Sequence, residues 1–168
     1  MDGLTKDRSV VSGEDVRAAM RRVPMAVTVV VVGGDTPRGI TIGSFVTVSL
    51  DPPLVSFNVQ RSARIHAEME TAPRFAVHIL SSAQEGLSEI FADPDQSGVG
   101  QFAKVDHHLD SHGIPVIPDV IARFACSVEA VYPAGDHSII LGRALELDSN
   151  ESGEALLYLN RSYRSLEG

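Results

Sequence analysis

The sequence predicts a mainly β protein: an antiparallel barrel decorated by a few helices. Three observations predict it. Short β-branched runs recur along the 168 residues, separated by glycine, proline and aspartate turns. Helical patterns are few and do not alternate regularly with strands, as a parallel βαβ sheet would require. One run, 39–53, alternates with period 2, because successive strand side chains point to opposite faces.

Taken in order, Ser12-Gly13-Glu14-Asp15 opens a helix with Ser12 as N-cap. Val16, Ala19, Met20 and Val23 make its apolar stripe, and Pro24 stops it. Ala26 to Val32 reads as a buried strand. Gly33-Gly34-Asp35 and Pro37-Arg38-Gly39 turn the chain into the alternating strand, which Pro52-Pro53 ends because proline cannot donate to a ladder. Residues 54–59 form the next strand, Ser62 to Met69 a short helix, and Phe75 to Leu80 another strand. Ser82-Ala83-Gln84-Glu85 has the capping-box pattern, with Leu87, Ile90 and Phe91 as the apolar face behind it. Asp93-Pro94 ends that helix. Residues 95–119 read as a long functional loop with a short strand near 104–109. Phe124 to Tyr132 and Ser138 to Leu147 pair around Pro133-Ala134-Gly135-Asp136, and Leu156 to Leu159 forms a last strand. The chain is expected to be one domain, 1–168, with 1–11 a poorly ordered tail.

The alternating strand is the most informative segment. Ile40, Ile42, Val46, Val48 and Leu50 fall on one face, with Ser44 among them. Thr41, Gly43, Phe45, Thr47 and Ser49 fall on the other. A solvated face usually carries charges. This one offers hydroxyls, which donate and accept, and a glycine that allows close approach to the backbone. That suits a flat, polar, phosphate-bearing ligand. A net charge of −8 argues against nucleic acid and an anionic membrane surface, while a few local cations still permit an anionic cofactor. Cys126 is the only cysteine, no apolar run spans a bilayer, and the N-terminus lacks a signal-peptide core, so a cytoplasmic protein is expected.

The run Gly39-Ile40-Thr41, Ser44-Phe45, Val48-Ser49-Leu50-Asp51-Pro52-Pro53-Leu54-Val55 resembles the signature of the short-chain flavin reductases. Arg61-Ser62-Ala63-Arg64, Phe75 to Leu80, Gly135-Asp136-His137 and Leu156-Leu157-Tyr158 with Tyr163 match the same family in order, over roughly residues 20–166. The resemblance implies a Greek-key flavin-binding split barrel. It implies a homodimer that takes a hydride from NADH or NADPH to FMN or FAD and supplies reduced flavin to a partner flavin-dependent monooxygenase. It would set Thr41, Ser44, Phe45 and Ser49 beside the flavin, Ser62 and Arg64 near its phosphate, Tyr163 at the pocket edge, and His137 at the nicotinamide as the catalytic residue. The chain departs from the family at Gly43 and His78, where asparagine is common, and at Met25-Ala26, where Thr-Gly is usual.

Each residue also has a plainer reading. Thr41, Thr47 and Ser49 suit any sheet surface, Phe45 suits a core, Ser62 suits a helix cap, and His137 suits an exposed turn. Asp106, His107, His108, Asp110 and His112 invite a zinc site, but the spacing matches no compact motif, and a solvated loop is expected with no metal. Gly33-Gly34 lacks the G-x-G-x-x-G pattern, so a nicotinamide nucleotide would have to bind without a Rossmann unit. A non-catalytic flavin-binding storage or sensor protein on the same barrel is the alternative.

Overall fold

A computed structural model describes residues 10–166. Most of the expected tail, 1–11, lies outside the described residues; Val10 and Val11 are exposed. Helix α1 (Gly13–Met20) starts as the sequence predicts. The Ser12 hydroxyl accepts from the Asp15 N–H at 3.1 Å, and the Asp15 carboxylate accepts from the Ser12 N–H at 3.1 Å. Its apolar stripe, however, covers no core of this chain, for none of its residues is buried.

The strands are β1 (Met25–Ala26), β2 (Thr28–Val32), β3 (Arg38–Ile42), β4 (Val46–Leu50) and β5 (Pro53–Gln60). After α2 (Arg64–Thr71) come β6 (Arg74–Ile79), α3 (Glu85–Ala92), α4 (Gly98–Phe102), β7 (His108–Leu109) and β8 (Pro115–Val116). Then follow β9 (Ala122–Ala134), β10 (His137–Ser149), β11 (Leu157–Leu159) and β12 (Ser162–Arg164). Seven strands form one antiparallel sheet in the order β3-β2-β6-β9-β10-β5-β4, with β1-β11-β12 and β7-β8 beside it.

The alternating run is therefore two strands, not one. β3 and β4 are opposite edges of the sheet, yet only residues 43–45 separate them. Four residue steps reach at most about 14 Å, so the sheet must curl until its edges approach. The Ser44 hydroxyl bridges the seam, accepting from the Asn58 N–H at 2.9 Å where a strand ladder would otherwise run. The result is a split barrel, mainly β with a few helices. The shared apolar face also fails. Ile40 and Ile42 lean on the core, while Val46, Val48 and Leu50 stay 54%, 53% and 88% exposed.

Two cores explain why β2 is buried throughout and valine at four of its five positions. Val30 and Val32 join Phe57, Phe75, Ile65 and Met69 in one cluster; Val29 and Val31 join Phe91, Phe102, Ile114 and Ile117 in another. Phe57 and Phe75 meet at 5.3 Å although β5 and β6 are three places apart in the sheet, so the first cluster fills the inside of the curl, capped by α2. The second packs β2 under α3 and α4. A strand covered on both faces reads as a continuous apolar run.

The segment 95–119 is less loop-like than expected. Phe102, Val105, Ile114 and Ile117 are buried, and α4 interrupts it. Two glycines hide that helix from periodicity, and Gly98 is required there because a Cβ would sit 2.1 Å from the Pro37 carbonyl oxygen. The expected capping box at Ser82 is absent. Gln84 is the N-cap of α3, and its side chain instead accepts from the Ser81 N–H and donates to the Pro118 carbonyl. The sequence pattern marks no strand at Ser162–Arg164, yet β12 forms there. A two-residue turn with positive φ at Asn160 and Arg161 reverses the chain from β11, in a sequence without the usual glycine.

Candidate functional site

Three adjoining hollows lie along β3. The first, about 460 Å³, is bordered by Arg38, Gly39 and Thr41, by Ser62, Ala63 and Arg64 at the start of α2, and by the end of α3. The second, about 280 Å³, shares Thr41 and adds Ser88, Tyr158 and Tyr163. The third, about 510 Å³, shares Ile42 and Gly43 with the second and adds Ser44, Asn58, His137 and Ile139. Six of the residues singled out from sequence thus border one continuous surface: Thr41, Ser44, Ser62, Arg64, His137 and Tyr163. Phe45 and Ser49 border none of the three hollows. The Phe45 ring packs on Phe124 at 5.3 Å against the barrel core, as its plainer reading holds. Ser49 sits on β4 opposite Leu54.

Local structure sets each of these side chains. Thr41 donates its hydroxyl hydrogen to the Ser88 carbonyl at 2.7 Å. The Tyr163 hydroxyl donates to the Ser88 hydroxyl at 2.8 Å. Ser88, buried in α3, therefore braces two walls of the second hollow. Gln101 does the same for the first: its amide accepts from the Gly39 N–H and donates to the Gly39 carbonyl, both at 3.1 Å, replacing a missing neighbour strand. Neither residue stood out in the sequence. Ser88 looks like an ordinary polar helix position, and Gln101 lies in a stretch without periodicity.

At the start of α2, Ala63 rather than Ser62 is the N-cap, and it supplies no side-chain acceptor to the first turn. Helix-start N–H groups without a cap, beside the Ser62 hydroxyl and the Arg64 guanidinium, fit a phosphate. His137 begins β10, and its Nδ1 lies 2.7 Å from an Asp136 carboxylate oxygen. That hydrogen bond, and then the imidazole charge, lower the Asp136 pKa. With Nδ1 on the carboxylate, Nε2 is the nitrogen left to meet a ligand.

The histidine- and aspartate-rich stretch serves the fold. His107 Nδ1 lies 2.8 Å from the Val105 carbonyl. Burial acts to raise the Asp110 pKa, but the N–H groups of Ile114 and His112 and the Arg123 charge outweigh it and hold the carboxyl below the usual range. Arg123, itself buried, is bonded to Asp110 and ties this segment to β9. His78 lies beneath, accepting from the Ile117 N–H at 3.3 Å. Burial, and then the Arg123 charge, push its pKa down to about 4. Cys126 is buried, and burial raises its thiol to about 12. Among the described residues no group of three or more His, Cys, Asp or Glu side chains is placed to hold a metal ion, and no helix is long and apolar enough to cross a membrane.

Comparison with known proteins gives the site a context. The family described as "Flavin reductase like domain" matches residues 20–167. The chain is 39% identical over 154 residues to an NADH-dependent FAD reductase of Streptomyces globisporus, covering 88% of this chain and 85% of that protein. It is 34% identical to the reductase component of a 4-hydroxyphenylacetate 3-monooxygenase of Thermus thermophilus, covering 91% of this chain and 96% of that protein. A solved structure of a Streptomyces globisporus NADH:FAD oxidoreductase, in complex with NAD and FAD fragments, superposes with a TM-score of 0.86 at 36% identity. It covers 92% of this chain and 94% of that one.

Proposed function

The chain belongs to the flavin reductase-like domain family, and from that premise we propose an NAD(P)H:flavin oxidoreductase that passes a hydride to FMN or FAD and supplies reduced flavin to a partner monooxygenase. The redox chemistry belongs to the two nucleotides; the protein binds, orients and polarises them. The observation that carries the reading is the convergence of Thr41, Ser44, Ser62, Arg64, His137 and Tyr163, drawn from separate segments, on adjoining hollows along β3.

In this reading Ser62, Arg64 and the uncapped start of α2 hold the flavin phosphate. Thr41, whose hydrogen is committed to Ser88, offers the ring or the ribityl chain an acceptor. Ser44 has its oxygen committed to the barrel seam and shapes the wall. Tyr163 borders the pocket, and Phe45 and Ser49 support the seam and edge behind it. His137, oriented by Asp136, faces the nicotinamide side and stabilises charge through Nε2. The whole chain acts as one domain.

The same reading makes the protein a homodimer. β4 is an edge strand exposed on both faces, with Val46, Val48 and Leu50 uncovered and no lysine among its five residues. An apolar edge of that kind is normally covered. Val16, Met20 and Val23 at the N-terminal helix add to the exposed apolar surface. A cytoplasmic setting follows from the lone buried thiol and the need for reduced nicotinamide. Purified protein should oxidise NADH or NADPH only when FMN or FAD is added, read as loss of the reduced-nicotinamide absorbance. Flavin binding with no oxidation of either nucleotide would leave a storage or sensor protein instead.

A further inference from the structure

The α2–β10 seam contains a polar pair where apolar side chains would be ordinary. Ser138, Ile140 and Gly142 are the core-facing positions at the start of β10, and Ile65, His66 and Met69 are the buried positions of α2. Within that seam His66 Nε2 lies 2.8 Å from the Ser138 hydroxyl, and the two residues are 7% and 2% exposed. Glu70, one turn on, has a carboxylate oxygen 3.9 Å from His66 Nδ1, too long for a hydrogen bond. The serine and the glutamate thus lie off opposite nitrogens of the histidine ring, but Ser138 is too enclosed for any electrophile to reach it, so a nucleophilic role is excluded.

What the pair does follows from what it joins. One residue before Ser138 is His137; two and four residues before His66 are Arg64 and Ser62. A second tie runs parallel to it, the Arg61 N–H donating to the Asp136 carbonyl at 2.9 Å. Apolar contacts are non-directional and tolerate sliding of a helix along a strand; a buried hydrogen bond is directional and costly to leave unmade.

We propose that the buried His66–Ser138 bond is a positioning pair, fixing the start of α2 relative to β10 so that the flavin phosphate site and His137 stay in register. This rests on the reading of α2 as the phosphate site, and it assigns neither residue a contact with the flavin.

The test compares FMN with riboflavin, which differ only in the phosphate. Wild type should show a lower KM for FMN than for riboflavin. Ser138→Ala should raise the KM for FMN by roughly three- to tenfold, leaving the KM values for riboflavin and for the nicotinamide nucleotide unchanged. His66→Gln, which keeps an N–H near the position of Nε2, should retain most of the FMN preference. Ser138→Ala alone strands a buried nitrogen and risks the fold. The double variant His66→Leu/Ser138→Ala removes both polar groups, which is nearly neutral for stability. It should melt close to wild type and still lose the preference.

If the folded double variant keeps the wild-type FMN preference, the proposal is overturned. It is equally overturned if all three KM values rise together with a falling melting temperature, the mark of a purely structural bond. If wild type itself does not distinguish FMN from riboflavin, the phosphate reading of α2 falls first and takes this inference with it.

Discussion

Thr41→Val separates a hydroxyl that touches the flavin from one that only braces a helix. Valine keeps the shape of threonine and removes its oxygen. The bond lost within the protein is the one to the Ser88 carbonyl, 2.7 Å long and part-buried. A neutral hydrogen bond of that kind contributes about 0.5–1.5 kcal/mol net, so the unfolding free energy from denaturant titration should fall by about 1 kcal/mol. In the free protein the hydroxyl hydrogen already points at Ser88, so toward the hollows the oxygen acts as an acceptor. Losing one accepted hydrogen bond from a bound flavin costs a similar amount, which is about a two- to twelvefold rise in flavin KM. Steady-state rates at saturating NAD(P)H with varied flavin measure it, and Thr41→Ser should recover both stability and KM. A loss of stability with an unchanged flavin KM would show that Thr41 holds α3 against β3 and does nothing for the ligand, and the wall assignment would fail.

Three further outcomes are expected. His137→Ala should slow turnover at saturating flavin by about tenfold or more while shifting flavin affinity much less; a wild-type rate would remove the imidazole from the reaction. His78 has a folded pKa of about 4 against an ordinary value of 6.5, so below that value the unfolded chain binds a proton that the folded chain refuses. Stability should be full above about pH 6.5 and drop by roughly 3 kcal/mol toward pH 4, read from urea unfolding at several pH values, and His78→Asn should flatten that slope. If β4 is the contact of the proposed dimer, Val46→Asp with Val48→Asp, which places two carboxylates on that exposed edge, should give a monomer in sedimentation velocity where wild type sediments as a dimer. A wild-type sedimentation coefficient would put the subunit contact elsewhere.

The parts of the fold legible in sequence are those whose cause is local. Ser12 and Asp15 cap α1 through bonds spanning three residues. The β9–β10 hairpin shows because its strands run 13 residues each around Gly135, whose φ of +63° suits glycine. The break at 43–45 does not show, because alternation persists on both sides of it. Only the seam bond from Ser44 to Asn58, fourteen residues away in sequence, explains why the strand ends there. The site divides in the same way. Thr41, Ser44, Ser62, Arg64, His137 and Tyr163 carry family spacing and can be found by it. Ser88 and Gln101 act through partners 47 and 62 residues away in the chain, and no local pattern betrays them.

The split in the barrel also explains why the hollows follow β3. In a fully closed barrel every strand has a neighbour on both sides and its backbone groups are spent on ladders. Here β3 pairs with β2 on one side only. Backbone groups along an antiparallel edge alternate between pointing toward the partner and away from it. Gly39 points away, since Gln101 takes both its N–H and its carbonyl. Thr41, two residues on, has the same sense, and so presents a backbone donor and acceptor beside its hydroxyl at the junction of the first two hollows. On the proposed reading, a chain of net charge −8 would therefore meet a flat polar ring with neutral groups, with the Arg38 and Arg64 cations of the first hollow beside its phosphate.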